Sequence, residues 1–267
     1  MLKRLLIVPL ALASILGVSG ARSNTAGAAT PVRNIVLVHG AFADGSSYAK
    51  VIPLLEAKGF RVTAVQNPLS SLAADVAATR RAIALQDGPV ILVGHSWGGM
   101  VISEAGNDPK VVGLVYIAAI VPDDGQAASD VLKPYPPTPG LGHMVPDAAG
   151  YLSLTRQGIE EDFVPDLPAS ERALVFATQG PWNSTSLADK VPTPAWKTRP
   201  SWFIAVNDRI LPADYEQVIA KHINARTTTL PAGHVPMLSR PKEVAAVIID
   251  AANNTRATVA AGKAGNQ

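Results

Sequence analysis

Four short apolar runs recur along the first half of this chain: Asn34 to Val38 (NIVLV), Arg61 to Val65, Pro89 to Val93 (PVILV) and Val111 to Ala118 (VVGLVYIA). They are near-continuous apolar runs rich in valine and isoleucine. A strand that shows one face to water alternates, whereas one covered on both faces does not. The runs therefore predict buried parallel strands, which need a long crossover between one strand and the next. Segments with helical spacing supply those crossovers. Tyr48, Val51, Ile52 and Leu55 recur at that spacing ahead of Gly59, and Ser70 to Leu85 is an alanine-rich stretch with the same period. The alternation predicts right-handed βαβ units, and so an α/β fold in which a mostly parallel sheet carries helices on both faces.

The rhythm pauses after Val121. From 122 to 200 the chain is proline-rich and loop-prone, with scattered aromatics and one predicted helix, Ser170 to Thr178. It has too little periodicity for a core of its own and reads as an insertion, not a second domain. The α/β pattern then resumes: Ser201 to Val206 as strand, Ala213 to His222 as helix, Thr227 to Leu230 as strand, Pro241 to Ala252 as helix. Residues 253–267 are small and polar and are expected to form a flexible tail. A chain of 267 residues with 48% hydrophobic and 16% charged residues suits one large domain, here 30–252, and excludes a mostly disordered protein.

The formal charge of +2 is too small to imply a nucleic-acid partner. The absence of cysteine excludes disulfides, a thiolate nucleophile and a lipidated N-terminus. Compartment is read instead from the first 29 residues. Lys3-Arg4, an apolar stretch from Leu5 to Val18 and the small residues Ala26-Gly27-Ala28-Ala29 have the three-part pattern of a secretory signal peptide. The stretch is shorter than a membrane span and contains Pro9 and Gly17. Cleavage near Ala28 leaves 20 basic and 21 acidic residues, a formal charge of −1. An exported chain, periplasmic or secreted and free of the membrane after cleavage, is expected.

Chemistry is concentrated in Gly94-His95-Ser96-Trp97-Gly98-Gly99, a G-x-S-x-G between an apolar strand and a helix expected to start at Ser96. Glycines two residues either side of a serine allow a turn too tight for neighbouring β-carbons, and such a turn lifts the hydroxyl clear of the sheet. A serine hydroxyl needs a base and an acid to orient that base. Of five histidines, His39 and His95 sit where they hold backbone geometry, His222 lies near a helix end and His143 in the insertion. His234 follows the last strand, on the carboxyl-end edge where open α/β sheets bind ligands. Asp208 follows the strand Ser201 to Val206 and fits the order Ser, Asp, His. Its rivals are Asp214, in a helix first turn where a carboxylate suits the dipole, and the pair Asp123 and Asp124. The N–H groups of Ala41 and Trp97 are placed to hold a developing oxyanion. Gly40 permits the close approach, and Phe42, with Trp97, is placed to flank a substrate pocket.

These residues resemble the α/β-hydrolase superfamily. VLVHGAFADGSSY, the GHSWGG turn, PAWKTRPSWFIAVNDRILP and AGHVPMLSRP are together similar to bacterial esterase-like members, and to the plant branch that holds methylesterases and hydroxynitrile lyases. The resemblance spans about residues 33 to 252 and implies the α/β-hydrolase fold, with the 122–200 insertion as a small cap over the site. The lyases carry threonine where Gly40 stands and lysine where Val235 stands, and an uncharged valine cannot stabilise a cyanide leaving group. The expectation is a serine hydrolase that cleaves a small carboxylic ester through an acyl-enzyme, with Ser96, His234 and Asp208 as triad and without cofactor or metal. A cofactor-free perhydrolase or haloperoxidase-like enzyme, a lyase-like relative and a receptor-like protein with a vestigial triad are the alternatives.

Overall fold

The computed structural model describes residues 31–255. The expected leader, residues 1–29, and the tail beyond residue 255 lie outside the described residues. Six strands form one sheet: β1 (Asn34–Val38), β2 (Arg61–Ala64), β3 (Val90–His95), β4 (Val111–Ile117), β5 (Ser201–Ala205) and β6 (Arg226–Thr229). Their order is β6-β5-β4-β3-β1-β2, and every neighbouring pair is parallel. Every residue of β1, β3 and β5 is buried, as expected for strands covered on both faces. The two edges are β2 (RVTA) and β6 (RTTT), whose polar, partly exposed residues discourage a further strand from adding on.

Helices α1 (Ile52–Glu56), α2 (Leu72–Ala84), α3 (Gly98–Ala105), α5 (Ala213–His222) and α6 (Pro241–Asn254) flank this sheet, while α4 (Ala169–Thr178) belongs to the insertion. Helix α2 packs on α3, and α1 on α6. The chain leaves β1 toward β2 but leaves β3 in the opposite direction, toward β4. Right-handed crossovers then put α1 on one face and α2 and α3 on the other. The loops after β1 and β3 diverge at this reversal and open a crevice at the carboxyl edge of the sheet.

Apart from shifts of one or two residues at element ends, four features depart from the sequence reading. The helix expected from Tyr48 to Leu55 is split into a 3-10 turn, Gly45–Tyr48, and α1, because Pro53 favours a fresh helix start. The helix expected at Ser96 begins two residues later, for the reason given below. Residues 253 and 254, expected in the tail, close α6. Thr255 after them is buried beneath Gly113 of β4, so the helix end is held down. The insertion contains more than one helix. Gln126–Ala127 pairs antiparallel with Lys190–Val191, and Met144–Pro146, Tyr151–Leu154 and Trp182–Asn183 form a small antiparallel sheet. Strands of two to four residues are too short to display a two-residue period, which is why they read as loop.

Candidate active site

The turn after β3 brings the first candidate into place. Ser96 has φ +52°, the left-handed region that a side chain rarely adopts, and therefore cannot start a right-handed helix. Helix α3 begins at Gly98 instead. The serine carbonyl accepts hydrogen bonds from the N–H groups of Gly99 and Ile120, which hold the strained residue in place. A β-carbon at Gly98 would stand 2.6 Å from the Val38 carbonyl oxygen, so only glycine lets the turn lie against β1.

Three candidates meet in one line. His234 Nδ1 donates to Asp208 Oδ2 at 2.5 Å, and its Nε2 accepts from Ser96 Oγ at 2.9 Å. Asp208 Oδ1 accepts from the Ile210 N–H at 2.7 Å. All three side chains are buried. Burial alone would raise the Asp208 carboxyl. The facing imidazole, the Glu216 carboxyl and the Ile210 N–H outweigh it and hold the group below the usual carboxylate range. The aspartate thus stays ionised beside a ring whose tautomer it sets. Asp214 is exposed in the first turn of α5, and Asp123 faces His222 at 3.0 Å on the surface. Asp124 pairs with Lys197, so none of these rivals reaches His234.

The remaining histidines have structural partners. His39 Nδ1 donates to the Gly40 carbonyl at 2.8 Å and its Nε2 accepts from the Asn67 N–H at 2.9 Å. His95 Nε2 donates to the His234 carbonyl at 2.8 Å. Burial lowers the basicity of both rings and keeps them neutral. His143 Nδ1 lies 2.7 Å from Asp162, whose other oxygen accepts from Arg209 Nε at 2.7 Å. That cluster ties the insertion to the residue after Asp208.

The N–H groups of Ala41 and Trp97 donate to no acceptor among the described residues. One lies in the loop after β1 and the other directly follows Ser96. Gly40 lies under Ser96, where a β-carbon would come within 2.7 Å of Ser96 Cβ. Phe42 lines a cavity of about 260 Å³, with Phe163, Leu174, Val175, Val235 and Leu238 among its walls. The Trp97 ring turns away from that cavity: its Nε1 donates to Asp75 Oδ2 at 2.8 Å, and both side chains are buried.

Asp75, Phe163 and Glu216 were missed in the sequence. Asp75 anchors Trp97, and Phe163 stands 5.3 Å from the His234 ring. Glu216 accepts from the Val206 N–H at 2.8 Å, just before Asp208. Each lies in a stretch with no motif, and only an unusual acid in an apolar helix face could have marked Asp75 or Glu216.

The model of the alpha/beta hydrolase family matches residues 35–247, a span that contains Ser96, Asp208 and His234. The chain belongs to the alpha/beta hydrolase family. It is similar to the pyrethroid hydrolase of Sphingobium wenxiniae, 28% identical over 83% of this chain and 88% of that protein. A shorter match joins it to the carbendazim hydrolyzing esterase of a Nocardioides species, 36% identical over 39% of this chain and 49% of the relative. Among solved structures, a pyrethroid hydrolase from Sphingobium faniae superposes with a TM-score of 0.72 at 26% identity, covering 84% of this chain and 98% of that one.

Proposed function

We propose that this family member is a serine esterase that cleaves carboxylic esters with an apolar substituent. The observation that carries the reading is the hydrogen-bonded line from Ser96 through His234 to Asp208, ending beside two uncommitted N–H groups. Ser96 Oγ attacks the ester carbonyl carbon while His234 Nε2 takes the hydroxyl proton. The negative oxygen of the tetrahedral intermediate is held by the N–H groups of Ala41 and Trp97. The carbon–oxygen bond to the alcohol then breaks, and the alcohol leaves with the proton from His234. Water, deprotonated by the same ring, attacks the acyl-serine and releases the acid.

The cavity reached past Phe163, whose ring stands 5.3 Å from that of His234, supports the apolar preference, since its walls at Phe42, Phe163, Leu174, Val175 and Val235 are apolar, although Asp44, Lys50 and Glu171 also border it. Hydrolases and an esterase among the relatives support the reaction class. Buried Val235 after the base has no charge to offer a cyanide ion, which weighs against a lyase.

The test is fluorophosphonate labelling followed by a ladder of p-nitrophenyl esters from acetate to laurate. Labelling is expected on Ser96, with kcat/KM rising along the ladder until the cavity is full. Ser96→Ala is expected to lose on the order of 10⁴ to 10⁶ in kcat. An unlabelled Ser96, or a Ser96→Ala variant that keeps more than a few per cent of activity, refutes the assignment.

A further inference from the structure

Behind the Asp208–His234 pair lies a second carboxyl group that the mechanism does not use. Glu216, in the first turn of α5, has no solvent exposure. Its Oε2 accepts from the Val206 N–H at 2.8 Å, and its Oε1 is buried without a donor among the described residues. The polar group against which this carboxyl packs is another acceptor, the Asp208 carboxylate. Asp208 is already committed on both oxygens, to His234 and to the Ile210 N–H. Two carboxylates in contact and away from water cannot both keep a charge.

Their neighbours decide which one keeps it. Asp208 has an imidazole and a backbone N–H, whereas Glu216 has a single N–H and pairs with no lysine or arginine among the described residues. The other titratable group beside Glu216 is Tyr215. Its hydroxyl accepts from the Val121 N–H at 2.7 Å and lies 3.3 Å from the Ala119 carbonyl, so it brings no positive charge. The start of α5 favours an anion, but with a partial charge set against the full one on Asp208.

We propose that Glu216 is a protonated carboxylic acid that donates a hydrogen bond to Asp208 and so steadies the charge on which His234 depends. Burial first, and then the charge of Asp208, hold the Glu216 carboxyl well above its usual range. A neutral donor shares the aspartate's charge, where an ionised glutamate would repel it. Glu216 is thus a positioning residue, and its role rests on the triad reading above.

The test measures kcat/KM for p-nitrophenyl butyrate, and the rate of fluorophosphonate labelling, across roughly pH 5 to 9. Full-length parent is compared with Glu216→Met and Glu216→Gln. Methionine removes the donor, so the Asp208 charge pulls harder on the imidazolium. The acidic limb is expected to move up by about half a pH unit. Because the Asp208 carboxylate is no longer held in place against the ring, the labelling rate is expected to fall roughly tenfold, the size of one lost hydrogen bond to a charged group. Glutamine keeps a donor and an acceptor and is expected to restore most of the lost rate, with the limb at the parental position. An ionised Glu216 predicts the opposite sign: both variants remove a negative charge, and both limbs move to lower pH. That result overturns the proposal, as do unchanged rate and limb in both variants. Should Glu216→Met fail to fold, an infrared difference spectrum between parent and Glu216→Gln decides. The carbonyl stretch of a protonated carboxyl is expected in the parent alone, and its absence overturns the proposal. A parent whose Ser96 does not label refutes the esterase reading instead, and the infrared band still decides the state of Glu216.

Discussion

Gly98→Ala puts the geometry of the turn at Ser96 under direct test. A β-carbon at residue 98 would lie 2.6 Å from the Val38 carbonyl oxygen and 3.0 Å from that of His39. The first distance is 0.8 Å short of the 3.4 Å at which ordinary contact begins. Neither side yields easily, since the obstacle is the backbone at the end of β1, a strand paired on both edges. Relief therefore requires the start of α3 to move away from β1 by several tenths of an ångström. Ser96 and Trp97 ride on that turn and move with it. Overpacking of this kind costs about 1 to 3 kcal/mol, which for a domain this size is a fall in Tm of roughly 2 to 12 °C. Catalysis suffers further, because displacing a reacting atom by about 1 Å costs on the order of 10²-fold. Thermal melting and the labelling rate of Ser96 read the two effects separately. Gly142→Ala is the control: its β-carbon meets nothing within 4 Å, so it is expected to stay within about 0.5 kcal/mol of the parent. A Gly98→Ala protein that melts with the parent and labels at more than half its rate would refute the packing argument.

Asp208→Asn is expected to leave a folded protein whose kcat falls by about 10⁴, because the amide no longer selects the imidazole tautomer. Asp214→Asn, on the exposed side of α5, is expected to stay within twofold of the parent by the usual modesty of surface changes. Kinetics on the two purified variants separate them, and reversed results would assign the acid elsewhere. Stability is expected to depend on pH through His39 and His95, whose folded rings resist protonation. An unfolded histidine takes up a proton as pH falls through its ordinary 6.5, so stability is full above that value and lost below it. Glu216 acts in the opposite sense: its raised carboxyl subtracts stability as pH rises above the ordinary 4.5. Over pH 5 to 6.5, unfolding free energy in Glu216→Gln is therefore expected to climb more steeply than in the parent, by about 1.4 kcal/mol per pH unit. Urea titrations at several pH values measure this slope, and parallel curves would contradict it.

The strands and the candidate residues Ser96, Asp208 and His234 were legible in the sequence for the same reason: both are local patterns. NIVLV and PVILV show no alternation because both faces of β1 and β3 are covered, and the observed strands begin within a residue of those runs. Ser96 is marked by its flanking glycines, and His234 and Asp208 by their places after strands. The short strands of the insertion were hidden, since two to four residues carry no period.

The sequence by itself determined the α/β alternation, the tight turn at Ser96 and the chain order of Ser96, Asp208 and His234. The rivals Asp214, Asp123 and Asp124 were set aside only by tertiary structure, because which acid faces the imidazole is a matter of ångströms between residues 26 positions apart. Tertiary structure also decided the pairing of Asp75 with Trp97, 22 positions apart, and the burial of Glu216 against Asp208. The ionisation of a carboxyl depends on what surrounds it after folding, and no spacing along the chain encodes that. Glu216 in an extended chain is an ordinary acid. Sealed behind Asp208, it meets a neighbouring charge and no water, and the free energy of its proton is set there.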